Sequence, residues 1–401
     1  MLQTKQQGLL ARHYNKGQLA TAMRDARSNL LARVDDLSDE EWRVPYHASY
    51  NPVAWEIAHV AWFAEWWTLR GPHWMDGDGR LQARLPARHA GPDQTFNSSI
   101  IPHVERWKVS LPERRALYDM LAAQLDATLV SLTHSGDSDA DLYFYRLALF
   151  HEDMHVEALT YLRDHLRFPP PSGMLLPSVP IEAAQVTIAA GQARVGQEPD
   201  GNGFYFDNEK WAHEVAIPAL QMDATPISCG AFLDFVEAGG YDAPDFWPGL
   251  AGRWRSSVAR SHPERWRKTA DGWQCRWFDQ WLPLPADMPI MHVNAYEAQA
   301  YCRWAERSLP TDALWEAAAR QDAIQWGGLV WEWMNNAFMP YHGFSPDPYR
   351  DYSVPWFESH YCLRGGSFAT HPRMHHPQYR NFCLPERSDI FAGFRSCLKT
   401  C

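Results

Sequence analysis

The sequence predicts two domains of different class, α followed by α+β: a four-helix bundle, then a loop-rich domain of short strands with embedded helices. Three observations carry this. The chain has 401 residues, more than one ordinary core accommodates. Residues 1–168 hold four long stretches of helical period, three of them opened by cap or proline signals. Beyond the proline-rich run 169–183 the pattern changes to short alternating segments and Gly/Asp turns. The expected division is therefore 1–168, a linker at 169–183, and 184–401.

The first helix is expected over Gln18 to Val34, with Leu19, Met23, Leu30 and Leu31 on its apolar side. Ser38-Asp39-Glu40-Glu41 reads as a capping box for a short turn ending near Trp42. Asn51-Pro52 is a helix start, an N-cap followed by Pro at the first position, and Gly71-Pro72 stops that helix after Arg70. Trp55, His59, Trp62 and Trp66 share one face of it, so a histidine sits in an apolar stripe. Residues 71–109 have loop composition, and connections this long in a compact domain are often functional. Ser110-Leu111-Pro112-Glu113 is another capping box, opening a helix to Leu132. Ser138 with Asp141 opens the last helix, which ends at Phe168 before three prolines. A bundle of four such helices can host metal ligands in its core. In the second domain, helices are expected over Ala295 to Glu306 and, after Leu309-Pro310-Thr311-Asp312, through Arg320.

Lys and Arg number 37 against 48 Asp and Glu, a formal charge of −11. That balance argues against nucleic-acid and anionic-membrane partners and for small molecules. No apolar run approaches the ~20 residues of a membrane span and the start lacks a signal pattern, so a cytoplasmic protein is expected. Seven cysteines, none in a Cys-x-x-Cys pair, point to reduced thiols rather than a disulfide framework or a Cys-rich zinc site. Trp, Tyr and Phe make up 13% of residues; most such rings pack cores, and some can hold a quaternary ammonium group.

The chemistry concentrates in His151-Glu152-Asp153-Met154-His155-Val156-Glu157. Two imidazoles four residues apart on a helix project from one face and can chelate one ion. The string also matches the zincin pattern, whose Glu is the base of a metalloprotease, but no third zincin ligand follows before the triple proline. His59 is the candidate third ligand, because an imidazole on the buried face of another helix needs a hydrogen bond or a metal. Three imidazoles on one side of an ion leave open positions opposite. Nitrogen ligands suit Fe(II), Zn or Cu, and spacing does not choose among them.

These residues resemble a known family, the non-heme iron sulfoxide synthases of ergothioneine biosynthesis and the related selenoneine synthases. The N-terminal part resembles a DinB-like bundle, with Asn51-Pro52, His59-Val60-Ala61-Trp62-Phe63 and His151-Glu-x-x-His155-x-Glu157. The C-terminal part resembles the formylglycine-generating-enzyme-like (sulfatase-modifying-factor-like, C-type-lectin-like) fold. It does so through Ala298-Gln299-Ala300-Tyr301-Cys302-Arg303-Trp304, Val330-Trp331-Glu332-Trp333, Leu363-Arg364-Gly365-Gly366-Ser367-Phe368, Arg380-Asn381-Phe382 and Phe391-Ala392-Gly393-Phe394-Arg395. The resemblance implies that His59, His151 and His155 bind Fe(II). It also implies O2-dependent coupling of sulfur or selenium to the imidazole carbon, between the ring nitrogens, of hercynine, the trimethylated betaine of histidine. Asn381 and Phe382 match the residues that hold hercynine, an amide for the carboxylate and a ring face for the trimethylammonium.

The departures from the family pattern concern the second substrate and the acid. Met154 stands where ergothioneine enzymes commonly carry Gln. Ser99 and Ile100 replace a tyrosine pair, and Phe344 aligns with a catalytic tyrosine of other members. A phenol that protonates oxygen cannot be replaced by Phe or Ile, which leaves Tyr341, Tyr349 or water as the acid. Arg106 alone remains where arginines bind the carboxylates of γ-glutamylcysteine, and an acidic donor needs fixed guanidinium forks. The expectation from this pattern is selenoneine synthesis with a neutral selenosugar, 1-seleno-β-D-glucose; the alternative is a sulfoxide synthase using cysteine or γ-glutamylcysteine. Two other classes stay in view. A copper-dependent formylglycine-generating oxidase leaves the three histidines unexplained, and a non-catalytic binding or sensor module is compatible with both folds.

Overall fold

The computed structural model describes residues 2–177, 180–199 and 201–399. Residues 178 and 179 of the expected linker, and the last residues of the expected second domain including Cys401, lie outside them. The chain begins with a helix that the sequence pattern did not announce, α1 (Leu2–Ala11), followed by α2 (Lys16–Ala32), α3 (Val53–Leu69), a hairpin of β1 (His73–Met75) and β2 (Leu81–Ala83), the single turn α4 (Asp93–Phe96), α5 (Arg114–His134) and α6 (Asp139–His165). Helices α2, α3, α5 and α6 are the bundle, with α2 and α5 packing on α6 and α3.

Capping explains some starts and not others. Asn15 and Gln18 exchange side-chain and backbone bonds at the head of α2, and Ser138 and Asp141 do so for α6. Ser38 and Glu41 make the expected reciprocal bonds. Two expectations are corrected. Asn51 does not cap α3, whose N-cap is Pro52; its amide donates to Glu56 instead. The box at Ser110 does not form, since α5 starts at Arg114 behind Glu113 with no side-chain cap. Residues Val53 through Trp67 of α3 are all buried, so α3 is the central helix, covered on every side.

The second domain runs β3 (Gln185–Ile188), β4 (Gly191–Val195), β5 (His213–Ile217), β6 (Leu220–Asp223), α7 (Cys229–Glu237), α8 (Leu250–Val258), β7 (Trp266–Thr269), β8 (Gly272–Trp277), β9 (Gln280–Pro283), α9 (Ala295–Trp304), α10 (Asp312–Arg320), β10 (Trp331–Ala337), β11 (Tyr361–Arg364), β12 (Asn381–Cys383), β13 (Ala392–Gly393) and β14 (Cys397–Lys399). Its main sheet has the order β12-β11-β10-β13, and smaller sheets are β14-β6-β3, β4-β5 and β7-β8-β9. Long irregular segments join these short strands, so the chain is an α-helical bundle followed by a loop- and β-rich domain.

Helix α6 joins the two halves. Tyr143 donates to Asp347 at 2.8 Å, Asp153 takes Arg373 at 2.6 Å, and Asp164 sits among Arg265, Arg276 and the backbone N–H of Phe278. Glu157 accepts Ser367 Oγ at 2.6 Å, Thr370 Oγ1 at 2.8 Å and Trp331 Nε1 at 2.9 Å. Arg12, after α1, grips Glu209 in a bidentate pair at 2.9 and 3.0 Å. Asp153, Glu157, Asp164 and Glu209 are buried carboxyls with partners in place, the condition under which such groups are tolerated. Cys229, Cys275, Cys302, Cys362 and Cys383 carry free thiols. Among the described residues no helix is long and apolar enough to cross a membrane.

Candidate metal centre

Helical period brings His151 and His155 to one face of α6, and α3 presents His59 opposite them. One ring nitrogen from each lies within 4.8 Å of the others. The ring centroids are 4.4 Å apart for His151 and His155, and 5.1 and 5.2 Å from His59 to each. The remaining nitrogens fix the tautomers. His59 Nδ1 donates to the Phe96 carbonyl at 2.7 Å and His155 Nδ1 to Glu56 Oε1 at 2.7 Å, which turns both Nε2 lone pairs inward.

The arrangement fits a metal ion. His155 Nε2 and His151 Nε2 are 3.2 Å apart, and with His155 protonated at Nδ1 a shared cation satisfies both lone pairs. Burial lowers the pKa of His59 and His151, with further lowering from neighbouring histidines, and neutral imidazole is the ligating form. Among the described residues, His151 Nδ1 has no protein partner. Its ring is held by packing, with Phe63 stacked on it at 3.6 Å. Three nitrogen donors on one side leave coordination positions for small molecules.

Glu56 is the residue that the sequence reading passed over. It lies three positions before His59, on the same face of α3, and it is 2% exposed. The His155 interaction and the Asn51 amide keep its carboxyl low despite burial. An available signal was an acid within an apolar run, VAWEIAHVAWFAEWW. The other acid of that run, Glu65, likewise holds the connection, accepting the N–H groups of Arg88, His89 and Ala90.

Glu152, the would-be protease base, faces away. Its carboxylate takes Arg27 Nε at 2.7 Å on α2, with Arg27 also bonded to Gln124. The metalloprotease reading therefore lacks its base.

From Phe63 a wall of rings leads into the second domain. Tyr349 meets Phe63 edge-on at 4.9 Å, Tyr352 lies 6.0 Å from Tyr349, and Phe382 lies 5.9 Å from Tyr352. Met154 faces the same wall, with Tyr352 OH 3.9 Å from its sulfur. Phe382 stacks on Phe338 at 4.3 Å, and Phe344 joins that group through Phe357 at 5.1 Å. Asn381 Oδ1 accepts the Phe382 N–H at 2.8 Å, which leaves its amide N–H groups as the outward donors. Burial raises the Tyr349 phenol pKa, so it stays protonated.

Two expected residues have other partners. Tyr341 OH receives Arg364 at 2.8 Å and reaches Glu316 at 3.3 Å, and Arg380 covers its ring at 4.1 Å. Tyr341 is thus part of a charged core of the second domain, and among the described contacts its ring meets His213 and none joins it to His59, His151 or His155. Arg106 donates to Asn51 Oδ1 at 2.7 Å and lies over Trp55 at 4.3 Å.

Comparison with known proteins gives matches along almost the whole chain. The DinB superfamily model matches residues 22–159, and the sulfatase-modifying factor enzyme 1-like domain matches 177–327 and 321–400. The hercynine oxygenase of Mycobacterium tuberculosis is 30% identical, over 94% of this chain and 98% of its own. That of Mycolicibacterium thermoresistibile is 28% identical over 95% and 94%. The formylglycine-generating enzyme of Streptomyces coelicolor is 24% identical over 53% of this chain and 88% of its own.

Proposed function

The chain belongs to the hercynine oxygenase family of oxidoreductases, and on that premise we propose that it joins a chalcogen donor to the imidazole carbon of hercynine, using Fe(II) and dioxygen. The observation that carries this is the convergence of His59, His151 and His155 at a buried point, adjoined through Phe63 by an aromatic wall from the second domain. Iron, when bound by the three histidines, supplies the activation of dioxygen for the oxidation.

The protein's own groups do the rest. The outward amide of Asn381 bonds the hercynine carboxylate, and Phe382 offers a ring face to the trimethylammonium. Tyr349 keeps its proton through burial and acts as the acid for reduced oxygen. Met154, Phe63 and Tyr352 exclude water around the reacting carbon, and Met154 gives the donor subsite a soft, apolar surface.

For the donor we place a thiol, cysteine or γ-glutamylcysteine, first, because the full-length relatives are hercynine oxygenases. One observation favours the second reading, a neutral selenosugar such as 1-seleno-β-D-glucose. Arg106 spends its terminal nitrogens on Asn51 and the Ser98 carbonyl, so this arginine does not present them as a ready fork to a donor carboxylate. The test is to give purified protein, Fe(II), hercynine and air each of cysteine, γ-glutamylcysteine, selenoglucose and thioglucose in parallel, with products read by mass. Turnover with the thiol acids supports the first reading. Exclusive turnover with the sugar donors replaces it with the second, and no hercynine consumption with any donor refutes both.

A further inference from the structure

We propose that Arg106 is a positioning residue for the metal centre, bracing two of its three histidines, rather than an anchor for a substrate carboxylate. The inference rests on the metal reading of the histidine cluster. Three hydrogen bonds of 2.7 Å run in series: Arg106 Nη1 donates to Asn51 Oδ1, Asn51 Nδ2 to Glu56 Oε2, and His155 Nδ1 to Glu56 Oε1. A second path is made of rings. The guanidinium lies 4.3 Å from the Trp55 ring centre, and Trp55 stacks on His59 at 4.9 Å with planes 8° apart. Arg106 thus reaches His155 through two side chains and His59 through one.

The support is rigid at each point. Arg106 belongs to a 3₁₀ turn, His103–Trp107, whose ends are tied to the segment before α3. His103 Nε2 donates to the Tyr50 carbonyl at 2.9 Å, and Trp107 Nε1 to the Val44 carbonyl at 3.0 Å. Trp55 is pinned by its own N–H on the Thr95 carbonyl at 2.7 Å. Because Asn51 uses its oxygen for Arg106 and its nitrogen for Glu56, its amide can take only one orientation. A carboxylate that holds a ligating histidine sets that ring's direction, and loss of such a partner typically costs 10–100-fold in metal affinity. The planar guanidinium both forks and stacks, which an ammonium cannot reproduce.

The test uses Co(II) as the probe, titrated into metal-free full-length protein and followed by its visible absorption. Arg106→Gln and Asn51→Ala should each weaken cobalt binding by about 10-fold or more and shift its spectrum. The double variant should be no weaker than the worse single one, because both cut the same chain. Arg106→Lys should recover little. With iron restored, the ratio of KM for γ-glutamylcysteine to KM for a neutral thiol should stay at its wild-type value. A wild-type cobalt titration for Arg106→Gln, with KM rising for the acidic thiol alone, would make Arg106 a substrate anchor and overturn the proposal. Should Arg106→Gln fail to fold by circular dichroism, Asn51→Ala carries the same test. His59→Ala is the separate control: if it binds cobalt as tightly as wild type, the metal reading itself fails.

Discussion

Replacing Glu157 by Ala probes how the helix that carries His151 and His155 is locked to the second domain. The carboxylate accepts three hydrogen bonds from that domain, and donors and acceptor are all buried. In the alanine variant the Ser367 and Thr370 hydroxyls, already 3.3 Å apart, can pair with each other. The Trp331 indole N–H, at 2% exposure, is left without an acceptor. One orphaned buried donor costs about 1–3 kcal/mol and each lost hydrogen bond about 1 kcal/mol, giving a destabilisation of about 3 kcal/mol. Glu157→Gln should lose only about 1 kcal/mol, since its carbonyl keeps two of the bonds and the Thr370 hydroxyl can turn to accept from the amide. The assay is urea unfolding followed by tryptophan fluorescence and far-ultraviolet circular dichroism, compared at equal slope. An alanine variant within about 0.5 kcal/mol of wild type, or a glutamine variant less stable than the alanine one, refutes the reasoning.

Three further outcomes follow. Glu152→Ala leaves Arg27 buried without its carboxylate and should cost about 3 kcal/mol at unchanged iron content; iron loss from a normally stable variant would turn Glu152 toward the metal. Tyr349→Phe should lower kcat by about 100-fold or more with iron content and Tm unchanged, and a rate within about twofold of wild type would remove Tyr349 as the acid. Burial pushes the Glu297 carboxyl up to about 7. The folded protein therefore holds that proton more tightly, so this group's contribution is full below the ordinary carboxylate range and is lost as pH rises to about 7. Glu297→Gln should flatten the fall of Tm between about pH 5 and pH 8, and an unaltered profile would contradict the assignment.

The bundle was legible where periodicity and caps agree. The period of Leu19, Met23 and Leu30 and the reciprocal cap at Ser138 make α2 and α6 readable within a few residues, and i,i+4 spacing alone places two imidazoles side by side. Asn51 shows the limit of local reasoning. Asn before Pro is a good cap signal, but its capping oxygen accepts from Arg106 and its amide nitrogen donates to a buried carboxylate one helical turn ahead. The hairpin inside residues 71–109 has strands of three residues, too short for a period to register. Glu56 stayed hidden because its role depends on a histidine 99 positions away in sequence. Tyr341 and Tyr349 could not be separated on sequence, because both lie in irregular backbone, where a side chain's direction follows from tertiary contacts. Arg364, Arg380 and Glu316 hold the first, and Phe63 meets the second.

The most direct measurement is oxygen uptake by iron-loaded protein with and without hercynine, set beside the same protein carrying His59→Ala. About one bound iron per chain is expected, with uptake that requires hercynine together with a chalcogen donor. The variant should lose both iron and uptake while remaining folded. A His59→Ala protein that keeps full iron and full turnover would contradict the three-histidine centre.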